Sequence, residues 1–585
     1  MTVMSHRRAL LLFAGLAVVM TWPLARHLST HLPLGRADLW QNLWNFWWWK
    51  TALLERGQSP YTTDLLFHPY GAPLAFHTHS ELNQLAFLPI NTLFGPVAAY
   101  GTAILAALTL AGFAAYLLAR ELVGDARAAL VAGVIFAFYP HQMEELIEHL
   151  NLATIGVLPL ACLFFLRALR RGGARNAVAL GLCLAATVLA AQHYAVFLLL
   201  LLPLLGGFEL APPRRAGAAG VARIASGLGV AALVAAALAG PFMLPLLSAL
   251  AGGGEMVKPF RDDRGIDLAF LLLPPDFHPL FGGLTRGYHR AHRSNPAVAF
   301  YDYLGWIPLL LACAAWPLVR TTRRLQAWLV AGVVFFILAC GTRPLIAGTT
   351  IDLTLPHAWF AALPLLQTLR HAHRFIVVTM LALAVLAAAG TARLSAGGRR
   401  RWLAPLAVAL VLFEYAWLPY PVQRVSFPSY LEVLARDPQA GAVLDIPFGF
   451  GGSTAINQAY QTVHGRPIAG GYVSVAPPVV EVVQRDPVLG PLALLGPDAA
   501  AALDVAHLRR LGFGTVVLHM DRVDDVLAAC AAALGPQAGH HALRRCDPAS
   551  GVARATMEAI SDRLTTAAGT PIHDDADIRV FRLKD

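Results

Sequence analysis

Long apolar runs, separated by short basic or polar connections, dominate the chain up to about residue 420. A helix that crosses a bilayer needs about 20 mostly apolar residues. Runs of that kind fall at 9–25, 95–119, 127–140, 150–168, 175–191, 193–209, 222–250, 304–319, 326–346, 374–392 and 402–420. The third is short and would enter at an angle. Eleven is an odd number, so the two ends of the chain are expected on opposite sides.

Arginine placement sets the orientation, because Lys and Arg in short loops stay on the cytoplasmic side. Arg7 and Arg8 precede the first run, Arg120 and Arg127 bracket the turn after the second, and Arg167, Arg170, Arg171 and Arg175 fill the next even connection. The alternation continues through Arg214, Arg215 and Arg223, then Arg320, Arg323 and Arg324, then Arg393, Arg399, Arg400 and Arg401. A cytoplasmic N-terminus follows. The other side receives a long first loop (26–94), an acidic loop near 141–149, a loop at about 251–303 and everything after 421.

Past residue 421 the pattern changes. AGAVLDIPF, GTVVLHM and ADIRVFRL have the length and β-branched content of buried strands, whereas DVAHLRRLG and DDVLAACAAALG have helical spacing. Strands alternating with helices predict a small α/β domain. The expected organisation is a polytopic α-helical membrane domain over 1–421 and an outer, periplasmic α/β domain over 422–585.

Composition narrows the class. The chain is 57% hydrophobic before its 49 glycines are counted, and only 14% charged, against about 25% charged in soluble chains. Its mean hydropathy is +0.57. A net charge of +10 would suggest nucleic acid if it lay on one solvated face, but the cations fall between apolar runs, so no nucleic-acid partner is expected. The six cysteines make no metal pattern; Cys530 and Cys546, in the polar tail, either pair or stay reduced. The opening Ser5-His6-Arg7-Arg8 and its apolar run imitate a secretory signal, yet no small-residue cleavage site follows Trp22-Pro23-Leu24, so the segment reads as a retained span.

Polar residues kept beside apolar runs mark where chemistry is expected. In GRADLWQNLWNFWWWK, Asp38 is followed by Trp40, Leu43, Trp44, Trp47 and Trp48 at helical spacing. That pattern predicts an amphipathic helix in the membrane interface with its indoles at headgroup depth. Asp38 is then either a functional carboxylate or a helix cap in water. In PHQMEELIEHLN, His141, Glu144, Glu145, Glu148 and His149 gather along one short helix. Glu145, Glu148 and His149 could hold a divalent cation, or the segment is a solvated helix end.

Further polar groups lie in the loops and the tail. His68, His77 and His79 read as structural. Arg370 and Arg374, flanking His371 and His373 in LRHAHRF, are expected to contact phosphate or to rest against lipid headgroups; Arg343 is a lesser candidate. Lys258, Arg261, Asp262, Asp263 and Arg264 read as a solvated charge run. Gln461, Thr462 and His464 in the tail either touch an acceptor or brace the loops.

The first span followed by an acidic residue and a juxtamembrane helix resembles the GT-C glycosyltransferases. The stretches SPYTTDLLFHPYGAPLAFHT, FYPHQMEELIEHLNL, LRHAHRF and YQTVHGRPIAGGY resemble multi-span bacterial proteins related to the YfhO membrane proteins. The resemblance implies a GT-C-like fold in a bacterial inner membrane, a polyprenyl phosphate-linked sugar donor, membrane lipids as surroundings and a glycan, lipid or protein acceptor. It also implies Asp38 as catalytic base, Arg370, Arg374 and His373 as donor phosphate contacts, and a divalent cation, Mg or Mn, at the second acidic loop. Many members carry paired acidic residues where Asp38 stands alone between Ala37 and Leu39. The alternative is a non-catalytic scaffold, or a carrier or transporter of lipid-linked glycan.

Other classes lack their motifs. There is no G-x-x-x-x-G-K-[ST], the only lysines are Lys50, Lys258 and Lys584, and there is no H-E-x-x-H. Ionisable residues inside the apolar runs are scarce, Glu414 being the main exception, which counts against an ion-coupled pump.

Overall fold

A computed structural model describes residues 5–211, 218–253, 265–292, 301–361, 363, 366, 369–396, 400–495, 498–522 and 552–583. It contains two compact units. Met1–Pro33, Ser80–Phe87 and Tyr100–Gln423 form a helical unit; Leu34–His79, Leu88–Ala99 and Arg424–Asp585 form an α/β unit.

Every apolar run carries helix. Among the described residues five helices are long and apolar enough to cross a membrane by length and composition: Leu88–Val123, Leu150–Arg171, Gln192–Leu210, Ala219–Ala251 and Ala372–Ser395. Ala126–Phe138, Ala174–Ala190 and Leu403–Glu414 are shorter and apolar. The run expected at 304–319 is broken into Trp306–Ala314 and Trp316–Thr321, where Pro317 opens the second piece. Proline has no N–H to continue a helical ladder, so it starts a helix rather than extending one.

The Ile376–Ser395 helix is the core of the helical unit, with every side chain from Ile376 to Thr391 buried. A helix that is apolar all round must be covered all round, and here Ala126–Phe138, Trp306–Ala314 and Arg323–Ala339 pack against it. Small residues allow the close approaches, as is common where helices pack without a hydrophobic drive. The Phe13 ring of the first helix wedges between Gly112 and Gly133, where an added Cβ would lie 2.4 and 2.2 Å from it.

Carboxylates tie the even-loop arginines together. Glu121 pairs with Arg167 at 2.7 Å and also with Arg171, and Glu209 pairs with Arg170 at 2.8 Å and Arg324 at 3.5 Å. Glu414, the exception noted inside an apolar run, ends its helix. It accepts hydrogen bonds from Tyr303 Oη (2.6 Å) and from the backbone N–H groups of Trp306 (2.5 Å) and Ile307 (3.0 Å). A carboxylate at those first N–H groups satisfies donors that have no partner within the helix, so its role is a cap.

In the α/β unit the three predicted strands are present as Ala442–Ile446, Phe513–His519 and Ile578–Arg582. Ala442–Ile446 pairs parallel with Phe513–His519, which pairs antiparallel with Ile578–Arg582, and His573–Asp574 completes the edge. Leu444, Ile446, Val516 and Leu518 meet Met557, Ile560 and Leu564 of the Val552–Ala568 helix in one core. DVAHLRRLG forms the helix Val505–Arg510, started by Asp504, whose Oδ1 accepts from the N–H groups of Ala506 (2.9 Å) and His507 (3.0 Å). DDVLAACAAALG, Cys530 and Cys546 lie outside the described residues, as do Lys258, Arg261, Asp262, Asp263 and Arg264.

The first loop does not stand apart from the tail: its Ala37–Lys50 helix packs along Ala455–His464 within the α/β unit. This overturns the expected interfacial placement of the tryptophans. Trp44 and Trp48 are fully buried and Trp49 nearly so. Their indole N–H groups donate to Gln461 Oε1 (2.7 Å), Pro60 O (2.9 Å) and His79 Nδ1 (3.0 Å). Helical spacing of aromatic residues signals a buried face equally well whether lipid or protein covers it. Here protein covers it.

Candidate active site

In the helical unit the second acidic loop is the helix Pro140–Glu148, opened by proline at its first position. One turn separates His141 from Glu145 and another separates Glu145 from His149. His141 Nε2 lies 3.4 Å from Glu145 Oε1, and His149 Nδ1 lies 2.8 Å from Glu145 Oε2. Burial alone would raise the Glu145 pKa, but the charges and hydrogen bonds of His149 and His141 hold it well below the usual carboxylate range. Its neighbour Glu144 goes the other way. Burial, then the charge of Glu145, pushes Glu144 well above that range, while its Oε2 accepts from the Tyr301 N–H at 3.1 Å. Glu148 is half-buried on the same helix.

The LRHAHRF segment reaches this helix. Ala372–Phe375 is a 3-10 turn leading into the core helix, and it carries His373 buried, with its ring 5.5 Å from that of His141. The ring of His371 lies 5.8 Å from that of His373. Arg374, half-buried, has Nη1 3.4 Å from Nε2 of His193, at the start of the Gln192–Leu210 helix. Arg370 is half-buried just before the turn. Residues far apart in sequence, His141, Glu145 and His373, thus offer ligand atoms within 4.8 Å of one another. Asp302 is buried nearby, its Oδ2 accepting from the Asp267 N–H at 2.9 Å; burial raises its pKa to about 6, and His141 opposes that rise. Arg343, by contrast, makes an exposed pair with Asp352 at 3.3 Å.

In the α/β unit Asp38 stands in the first turn of Ala37–Lys50, where a carboxylate is favoured by the helix dipole. The carboxylate is half-buried and accepts from Tyr472 Oη at 2.7 Å, while the cap position, one of its two expected roles, belongs to Arg36. Tyr472 is itself pinned. Gln41 Nε2 donates to its carbonyl at 3.0 Å, and its N–H donates to Gln458 Oε1 at 2.9 Å.

The remaining candidates of that unit make hydrogen bonds within it. Gln461, fully buried, accepts from Trp44 and donates to the carbonyls of Leu65 (2.7 Å) and Arg466 (2.9 Å). His464 Nδ1 accepts from the Arg466 N–H at 3.0 Å, and Thr462 Oγ1 donates to Ala459 O at 2.6 Å. His77 bonds Asn45 Oδ1 at 2.8 Å, His79 bonds Leu74 O at 2.9 Å and His68 bonds Leu511 O at 2.7 Å, the structural roles expected of them.

Three groups were not singled out by sequence. His193 was visible as a polar break, Gln192-His193, in an apolar stretch. Asp302 and Tyr472 carry no local signal, since each matters through a residue far away in sequence.

The comparisons agree on a fold. ArnT from Cupriavidus metallidurans, solved bound to undecaprenyl phosphate, is 12% identical, with a TM-score of 0.51 over 98% of each chain. The arabinofuranosyltransferase AftD from Mycobacteria is 15% identical with a TM-score of 0.55 over 100% of this chain and 42% of that one. The Archaeoglobus fulgidus oligosaccharyltransferase in its apo form is 14% identical with a TM-score of 0.52 over 89% of this chain and 71% of that one. No curated protein matches by sequence. The chain therefore has the GT-C fold of multi-pass membrane glycosyltransferases. With residues 9–414 matched by its model, it belongs to the family described as Domain of unknown function (DUF6311).

Proposed function

We propose that this chain is a membrane glycosyltransferase that moves a sugar from a polyprenyl phosphate-linked donor to a glycan, lipid or protein acceptor on the outer face of a bacterial inner membrane. The observation that carries the reading lies in the helical unit: His373 stands against the His141–Glu145–His149 group on a GT-C fold, and Arg374, suited to a phosphate, follows it in the same turn. The solved ArnT complex, of the same fold, holds undecaprenyl phosphate, a lipid of the proposed donor's class.

In such a transfer the acceptor hydroxyl loses its proton to a base, and its oxygen bonds to the anomeric carbon. The bond from that carbon to the phosphate oxygen breaks, and polyprenyl phosphate leaves with the electron pair. The reading gives Asp38 the role of base, a task requiring hydrogen-bond reach of the hydroxyl. Arg370, Arg374 and His373 take the phosphate, for which guanidinium offers paired donors. Glu145, ionised and oriented by His149, fits a cation ligand; with Glu148 and His149 it would hold Mg or Mn, which would neutralise charge on the leaving phosphate. The proposed topology has eleven crossings, a cytoplasmic N-terminus, a membrane domain over 1–421 and a periplasmic domain over 422–585.

The test uses the full chain in nanodiscs with a panel of radiolabelled polyprenyl monophosphate sugars and a cell-envelope acceptor extract. Label should enter the extract, and Asp38→Asn should cut turnover by about 10²–10⁴-fold while donor binding persists. Wild-type turnover by Asp38→Asn removes the base. A donor panel left untouched, with surface glycan altered by gene deletion, replaces the enzyme by a scaffold. A periplasm-only reporter fused after residue 585 should be active.

A further inference from the structure

The buried trio His141, Glu145 and His373 differs in chemistry from a carboxylate cage. Two imidazoles and one carboxylate converge from two elements distant in sequence, each side chain buried and each offering one ligand atom within 4.8 Å of the others. Imidazole nitrogen suits zinc, iron, nickel and copper, whereas magnesium and manganese favour oxygen donors. His141 Nε2 and Glu145 Oε1 lie 3.4 Å apart, a separation compatible with one edge of a tetrahedron whose bonds are about 2.0–2.1 Å, the lengths of zinc–nitrogen and zinc–oxygen bonds.

The surroundings supply what a metal ligand set needs beyond its ligands. Histidine and carboxylate ligands are normally oriented by an outer hydrogen-bond partner. Glu145 has one, since His149 Nδ1 holds Oε2 at 2.8 Å and leaves Oε1 turned to His141. The carboxylate of Asp302 lies close enough to His141 for the two to interact electrostatically. Three protein ligands leave one tetrahedral position open, the arrangement of zinc sites that bind an exogenous oxygen ligand. Arg374 follows His373 directly in the turn, so a cationic side chain, its Nη1 3.4 Å from His193 Nε2, is next in sequence to a ligand.

We propose that His141, Glu145 and His373 form a zinc-class metal site with an open fourth position for a phosphate oxygen. The site stands on these side chains alone and does not rest on the transfer reading; it takes Glu145 as its own ligand in place of the Mg or Mn set with Glu148 and His149.

The test is metal content and spectroscopy on the full chain in nanodiscs, stripped with dipicolinate and reloaded with zinc or cobalt(II) in the presence of excess magnesium. One zinc per chain should be retained, and cobalt should give the intense visible bands of a tetrahedral site. His141→Ala and His373→Ala should each weaken zinc binding by more than about 100-fold, the upper end of what an outer-shell change costs. His149→Gln should weaken it less, and Glu148→Gln not at all. Inorganic phosphate should perturb the cobalt bands, and Arg374→Ala should abolish that perturbation while zinc stays bound.

A stripped wild-type chain that takes up no zinc overturns the site, as does zinc lost with Glu148→Gln but kept in the His141→Ala, His373→Ala double variant. His373→Gln, which keeps the size of the side chain, guards against a variant that fails to fold. Zinc bound without any sugar transfer leaves the site standing and removes the transferase; transfer without zinc does the reverse.

Discussion

The hydroxyl of Tyr472 donates to Oδ1 of Asp38 across 2.7 Å, linking the glycine-rich tail segment to the first turn of a helix from the other end of the sequence. With Asp38 in its proposed role as base, this donor orients the carboxylate, and Tyr472→Phe should lower kcat by less than about tenfold while donor KM is kept. Full kcat in Tyr472→Phe would mean that Tyr472 acts only as packing.

Gly452 explains how closely that first turn is set. A Cβ there would stand 2.5 Å from the Cβ of Ala37, the residue before Asp38. Overpacking of that kind typically costs about 1–3 kcal/mol and is relieved by backbone shifts. With Asp38 in its proposed role as base, Gly452→Ala should thus lower kcat through displacement of that carboxylate, with thermal stability reduced by no more than that amount. A variant with full kcat and an unchanged melting curve would show that the helix start has slack.

Much of this architecture was legible because its signals are local. The apolar runs coincide with helices, and the three tail strands fall where β-branched residues cluster. What local pattern could not specify is which surface covers a given face. Trp44, Trp48 and Trp49 have the same spacing whether lipid or Gln461, Pro60 and His79 receives their N–H groups. The candidate site divides along the same line. His141, Glu145 and His149 follow one another at intervals of four residues and were legible as one helical group, whereas the arrival of His373 beside His141 is set by tertiary packing alone.

Trp49 and His79 fix a protonation state. An indole N–H can only donate and a carbonyl can only accept, so His79 must accept at Nδ1 from Trp49 and donate from Nε2 to Leu74 O, which is the neutral ring. Burial lowers its pKa from 6.5 to about 4. Between those values the unfolded chain holds more protons than the folded one. The contribution is fully present above about pH 6.5 and is lost as pH falls toward 4, amounting to about 3 kcal/mol. His464, also lowered to about 4 by burial, adds a slope of the same sign. Thermal melts at pH 7 and pH 4.5 should differ strongly for wild type and less for His79→Gln; equal differences would contradict the neutral assignment.

Arg374 separates a donor-binding role from a lipid-facing one. It follows the buried His373 in the turn and places Nη1 3.4 Å from His193 Nε2, so packing holds the guanidinium in one region instead of leaving it to sweep the headgroup layer. A hydrogen bond to a charged group is worth about 1.5–3 kcal/mol, which converts to about 10–150-fold in affinity. Arg374→Ala should raise the KM for a polyprenyl phosphate sugar by that factor, and Arg374→Lys, which keeps the charge but loses the paired donors, should fall between. If the arginine served only lipid headgroups, donor KM would stay at the wild-type value in nanodiscs of neutral lipid, and only the response to anionic lipid would change.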